Sequence, residues 1–207
     1  MINIKTELPG SKSINILEKL RVRNGGWAAP YPIVLSAKGD GCYCEDVDGN
    51  RLLDFGSQVA TNPFGYNNPE MLDVVKKYSS RHPLKFAGQD FVVPEHLQLI
   101  EELLSVSPKG MDAAFLINSG AEAVENAIKI CMHNRHAMKF SVSFDGAFHG
   151  RTLGALSLHH SKFVHRHGYL LEANKELPFD DSAPDVLREL IDAYGADALG
   201  FVILEHF

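Results

Sequence analysis

Apolar residues fall in two different rhythms along the chain. In residues 1–70 the runs are short. A helical spacing over Ile14–Arg23 is followed by a Gly/Pro-rich passage through Gly25, Gly26, Pro30 and Pro32. Next comes CYCEDVDGNRLLDF (42–55), in which two partly alternating runs flank Asp48-Gly49, a dipeptide suited to tight turns because Gly takes positive φ without strain. This predicts a β-hairpin. From about residue 71 helices alternate with short apolar strands. PEHLQLIEELL (94–104) starts on Pro94 and carries Leu97, Ile100, Leu103 and Leu104 at helical spacing. AAFLIN (113–118) reads as a strand, AEAVENAIKIC (121–131) as a helix, and FSVSF (140–144) as a strand. APDVLRELIDAY (183–194) is a helix opening after Ser182 and stopping at Gly195, and GFVILE (200–205) is a buried strand. Such alternation predicts an α/β fold with a mainly parallel sheet covered by helices on both faces. Residues 1–70 are expected to belong to a small α+β domain, and 71–207 to form the first half of a large domain. Because a buried strand needs neighbours on both faces, further elements are expected beyond residue 207.

Composition narrows the functional classes. Hydrophobic residues make up 45% and charged residues 22%, and the net charge is −6. No broad basic field attracts nucleic acid, and no apolar run approaches the ~20 residues of a membrane helix. Three cysteines and no apolar N-terminal leader point to a reducing compartment, with the cytoplasm as default. Asp46-x-Asp48-Gly49 is better read as a turn than as a calcium loop, since the remaining ligands are missing. Cys42 and Cys44 are expected on one strand face, and Cys131 in a core stripe with Ala121, Val124 and Ile128. The histidines, including His133/His136 and His159, His160, His165 and His167, are expected to be solvated or packed, with no metal.

Two segments carry candidate chemistry. INSGAEAVENAIK (117–129) places Asn118, Ser119, Gly120 and Ala121 at a strand-to-helix turn, where free N–H groups and the helix dipole attract a phosphate. Ser119-x-x-Glu122 is equally a capping box, which would satisfy those groups internally. GAFHGRT (146–152) follows a strand. Its Phe148 could stack on a flat heterocycle and its Arg151 offers a planar fork to a carboxylate, although a core Phe and a solvated Arg would look the same.

Together the two segments resemble the class III aminotransferases of the type I pyridoxal-phosphate fold. DVDGNRLLDF, FGYNNPE and VILE extend the resemblance over nearly the whole chain, and SQVATNPFGY (57–66), LLSVSPKGM (103–111) and HHSKFVHR (159–166) are most like 4-aminobutyrate aminotransferases. The resemblance implies pyridoxal 5'-phosphate as cofactor, with Ser119, Gly120 and Ala121 on its phosphate, Phe148 on its ring and His149 beside it. It also implies Arg151 on the substrate carboxylate, Val59 and Gln89 lining the substrate pocket, and Glu205 near the cofactor as a catalytic group. The implied reaction moves the terminal amine of an ω-amino acid to 2-oxoglutarate in a homodimer. Residues about 82–93 are expected to meet the partner. The lysine that bonds the cofactor and the aspartate on its pyridine nitrogen are expected beyond residue 207. Lysine ε- or ornithine aminotransferases, a same-fold racemase or epimerase, and a non-catalytic module remain alternatives. Two departures stand out: Asn67 and Asn68 where many relatives have histidines, and His206 where proline is usual.

Overall fold

A computed structural model describes residues 1–26, 30–81, 91–162, 165 and 173–205. The chain forms two compact units, Met1–His96 and Leu97–Phe207. The expected boundary near residue 70 falls at the start of a helix inside the first unit.

In the first unit, helix α1 (Ser11–Arg23) precedes a three-stranded antiparallel sheet, β1 (Leu35–Asp40), β2 (Tyr43–Asp46) and β3 (Arg51–Leu53), in the order β1-β2-β3. The predicted hairpin is β2–β3, with Tyr43 opposite Leu53. In its DVDGN turn the acids accept from backbone N–H groups. The Asp46 carboxylate, buried, accepts from the N–H of Asp48 and Asn50, and Asn50 Oδ1 accepts from the N–H of Lys5 and Thr6. Asp48 accepts from the N–H of Lys12 and Ser13 and from the Ser13 hydroxyl, and so caps α1 from 35 residues away. This explains why the helix starts at Ser11, earlier than its apolar spacing suggests. Cys44 is buried on β2, whereas Cys42 precedes the strand and is exposed. The element α2 (Ser57–Ala60) is a single turn of left-handed sense, and α3 (Pro69–Arg81) follows it.

The second unit is built on a parallel sheet. β4 (Phe140–Phe144) lies between β5 (Asn174–Leu177) and β6 (Leu199–Val202). Phe140, Val142, Leu177 and Ala198 form its core, covered by Val186, Leu187 and Leu190 of α7 (Ala183–Tyr194). That helix ends where predicted, at Gly195 with φ 85°. Helices α4 (Pro94–Val106), α5 (Gly120–Asn134) and α6 (Leu153–Ser157) complete the described elements.

Two strand expectations are corrected. Residues 113–118 form no strand: no described residue offers this run a ladder, and Phe115 is 73% exposed. Apolar character alone does not make a strand, because the backbone needs a paired edge. Among the described residues, the run 200–205 is only partly the buried strand expected. Among these residues β6 pairs with β4 alone and ends at Val202, with Val202 and Leu204 exposed.

Candidate active site

Helix α5 starts as its sequence directs. Ser119 is the N-cap, extended at φ −154°, and its hydroxyl oxygen accepts from the Glu122 N–H at 3.2 Å. The reciprocal arm of the capping box is displaced by one residue: Glu122 accepts from the N–H of Asn118 at 2.8 Å rather than from Ser119. Among the described residues, the N–H groups of Ser119, Gly120 and Ala121 therefore have no partner. Both readings of this turn hold at once, since one donor is capped and three remain at the positive end of a helix of 15 residues. Space is available too, because a Cβ added to Gly120 would meet nothing within 4 Å.

The GAFHGRT loop lies against this turn. Gly150, at φ 126°, approaches Ala121 so closely that an added Cβ would stand 2.8 Å from the Ala121 Cβ. No side chain fits there, and this close approach brings Phe148, His149 and Arg151 to the start of α5. Glu125 provides a second tie. It accepts from the N–H of Gly154 at 2.8 Å and of Ala155 at 3.2 Å, joining α5 to the first turn of α6. Burial pushes the Glu125 carboxyl up, but the Thr152 hydroxyl and these two N–H groups more than offset it and hold it below its usual range. No local sequence signal marks Glu125, because its partners are some 30 residues away. Gly150 could have been suspected from its place between two functional side chains.

Within the loop, the Phe148 ring is 44% exposed and its N–H donates to Glu205 at 3.1 Å. Arg151 is exposed, with its guanidinium carbon 5.8 Å from the Phe148 ring centre and no carboxylate partner among the described residues. His149 is 8% exposed, and its Nε2 has no partner among the described residues. Burial depresses the His149 pKa; Glu205 opposes this and His160 adds to it. The imidazole is therefore neutral near neutral pH.

Behind the loop stands a group of histidines that sequence reading assigned to packing or solvent. Ala147 O accepts from the N–H of both His160 and Ser161, and the His159 ring meets Phe148 edge-on with centroids 4.8 Å apart. His159 Nε2 is 2.7 Å from Ser161 Oγ, and His160 Nδ1 is 2.7 Å from a Glu176 oxygen on β5. These histidines are packed, His159 being buried and His160 half-buried with its side chain turned inward, and they buttress the loop; His167 lies outside the described residues. Among the described residues no group of three or more His, Cys, Asp or Glu is placed to hold a metal. His133 and His136 form only an edge-on ring contact. The stripe Ala121, Val124, Ile128 and Cys131 is half-buried rather than a closed core.

Of the residues singled out by sequence, Ser119, Gly120, Ala121, Phe148, His149, Arg151 and Glu205 come together in the second unit. Val59 belongs to the first unit, on the left-handed turn, and is 84% exposed. Gln89 lies outside the described residues, as does most of the expected partner-facing segment. Of its described part, Phe91 and Val92 are exposed. No helix among the described residues is long and apolar enough to cross a membrane.

Comparison with known proteins agrees with this geometry. The mitochondrial 4-aminobutyrate aminotransferase of Homo sapiens is 32% identical over 193 residues, covering 79% of this chain and 38% of that protein. The acetylornithine aminotransferase of Archaeoglobus fulgidus is 36% identical over 160 residues, covering 77% and 41%. This chain thus spans about two-fifths of the length of these relatives. A structure of the taurine:2-oxoglutarate aminotransferase of Bifidobacterium kashiwanohense, in complex with PLP and glutamate, superposes with a TM-score of 0.76 at 19% identity, over 98% of this chain and 48% of that one. The expected α/β architecture, the type I fold of pyridoxal-phosphate transaminases, is borne out by that likeness. Residues 27–196 match the family described as aminotransferase class-III, and with an open helix start locked against a Phe-His-Gly-Arg loop this chain belongs to the class III aminotransferases.

Proposed function

We propose that this chain provides the N-terminal part of a pyridoxal-phosphate-dependent aminotransferase. In this reading the enzyme transfers the terminal amine of an ω-amino acid, 4-aminobutyrate or a close analogue, to 2-oxoglutarate. The observation that carries the proposal is the contact of Gly150 with Ala121, which sets three unpartnered N–H groups beside a half-exposed aromatic ring and an unpaired arginine.

The residues fit the cofactor. Ser119, Gly120 and Ala121 would receive its phosphate through backbone N–H groups, and the Ser119 hydroxyl, already an acceptor from Glu122, keeps its proton free to donate. Phe148 would lie on the ring, fixed by Glu205 at its own N–H and by His159 at its edge. His149, neutral and buried, would sit beside the ring without adding a charge. Arg151 would grip the substrate carboxylate as a fork, and Val59 and Gln89 would line the pocket around the rest of the substrate. Pyridoxal phosphate supplies an electron sink for deprotonation at the amine-bearing carbon. Glu205 is proposed as the acidic group near that centre. Residues 1–70 are proposed as part of the small domain and 71–207 as the first half of the large one, with the 82–93 segment facing a second subunit of a cytoplasmic homodimer.

The 4-aminobutyrate aminotransferases among the relatives support the choice of donor, and the acetylornithine enzyme at 36% identity favours a second, larger ω-amine. The test is made on the complete enzyme purified with pyridoxal phosphate. We expect an absorbance band near the visible edge, and glutamate formed from 2-oxoglutarate and 4-aminobutyrate. Absence of the band overturns the cofactor reading. A band with turnover of N-acetylornithine but not of 4-aminobutyrate moves the assignment to the larger donor.

A further inference from the structure

The four residues of α2 have φ values of 47°, 53°, 60° and 59°, and none of them is glycine. An L side chain is strained in this region, whereas glycine is not. Four such residues in succession persist only where the surroundings hold them, and strain of this kind gathers where a side chain must be displayed. What holds them is visible. Asp54 Oδ1 accepts from the N–H of Gly56 at 2.9 Å and of Ser57 at 2.8 Å, while Oδ2 takes the N–H of Gln58 at 3.3 Å and the hydroxyl of Tyr66 at 2.7 Å. The Tyr66 oxygen in turn accepts from Gln58 Nε2 at 2.7 Å, and the Ser57 hydroxyl donates to the Asn62 carbonyl at 2.7 Å. Asp54, Ser57, Asn62 and Tyr66 line a cleft of about 280 Å³ together with Phe64 and Cys42.

Each side chain on the turn has a different use. Ser57 closes the turn and Gln58 completes the chain to Asp54. Val59 does neither: it is 84% exposed, although glycine there would remove the strain. We infer that Asp54 and Tyr66 are positioning residues for substrate selection, which hold the left-handed turn so that Val59 stands at a fixed point of the amine-donor pocket. This rests on the proposed reading in which Val59 lines that pocket, and it adds how the position of Val59 is set. Tyr66 suits the role because it is both donor and acceptor here. Burial and the Asp54 carboxylate push its hydroxyl up to about 12, so it keeps its proton through the working range of pH.

The test uses the complete enzyme purified with pyridoxal phosphate and compares kcat/KM for 4-aminobutyrate with that for alanine, a short donor. We expect Asp54→Asn and Tyr66→Phe each to reduce the preference between the two donors at least tenfold, with the cofactor band retained. Val59→Gly should raise the melting temperature, because it relieves the strain, and should reduce the preference as well. A lowered melting temperature in Asp54→Asn or Tyr66→Phe with the preference unchanged would make these residues merely structural and overturn the inference. So would a Val59→Gly enzyme that is more stable but equally selective, or one that is less stable, since the turn would then not be strained. If Asp54→Asn does not fold, Tyr66→Phe, which leaves the three N–H contacts in place, decides. Failure of the parent enzyme to transaminate any amine would instead sink the proposed function, a result separate from any of these.

Discussion

The turn at Ser57–Ala60 and the turn at Asn118–Glu122 use the same chemistry to opposite ends. Each gathers successive backbone N–H groups around one point. In the first, the N–H groups of Gly56, Ser57 and Gln58 converge on Asp54, a carboxylate from the same segment. In the second, the nearest carboxylate, Glu122, bonds the Asn118 N–H, and the groups of Ser119, Gly120 and Ala121 stay open. The backbones differ as well. The first is left-handed over four L residues, while the second leads from an extended N-cap into an ordinary helix. A cluster of N–H groups thus becomes either a strained internal clamp or a set of open donors, and the deciding factor is whether the protein's own acid reaches it first.

The most severe way to break this comparison is to fill the open turn. Ser119→Asp places an acid where the phosphate is proposed to bind, while aspartate caps a helix as well as serine does. Pyridoxal phosphate affinity, measured by spectral titration, should fall by about 3 kcal/mol or more, roughly 100-fold, with the melting temperature of the cofactor-free protein unchanged or higher. Unchanged affinity would remove the phosphate from this turn. A smaller loss is expected at Arg151. Arg151→Lys keeps the charge but loses the fork, and KM for carboxylate substrates should rise by about 2 kcal/mol, roughly 30-fold, with the cofactor spectrum intact. Equal KM values would show that Arg151 is not the carboxylate grip.

The clamped turn offers a gain instead of a loss. Ala60→Gly should stabilise the protein by about 1 kcal/mol in thermal or denaturant unfolding, because φ 59° is costly for alanine and free for glycine. Destabilisation would mean that the turn is not left-handed in solution. The mildest effect concerns pH. An unfolded histidine takes up its proton near about pH 6.5, whereas burial holds the His149 pKa below that in the fold. The unfolded chain then binds more protons in that window, so this contribution is fully present above about pH 6.5 and is lost as pH falls below it. Melting curves between about pH 7.5 and 5.5 should show a shallower decline for His149→Gln than for the parent. Identical slopes would mean that His149 is not the source.

Elements whose evidence is local were legible in the chain itself. FSVSF became β4 over the expected residues, APDVLRELIDAY became α7 and stopped at Gly195, and Ser119 capped α5. The site residues gathered around Ala121, Glu205 apart, lie in two short segments, and a helix start and a Gly-bounded loop declare themselves within a few residues. Periodicity, capping and turn chemistry act over one or two turns of chain, and so they can be read without knowing what lies nearby.

Tertiary structure decided everything that depends on a distant partner. AAFLIN and β6 carry similar apolar runs, but among the described residues only β6 found a neighbouring edge to pair with. Asp48 caps α1 from across the first unit, and Glu125 caps α6 from about 30 residues away, though neither residue differs in type from acids that face solvent. The left-handed turn at Ser57–Ala60 lacks the glycine or asparagine that usually marks positive φ, and it exists because Asp54 and Tyr66 reach it. Whether the histidines behind Phe148 were packed or solvated was decided when the backbone of His160 and Ser161 closed onto Ala147. The sequence alone therefore determined the family's elements and the helix start at Ser119. Which acids are spent on the protein's own backbone and which donors are left for a ligand was decided by distances that only the folded chain sets.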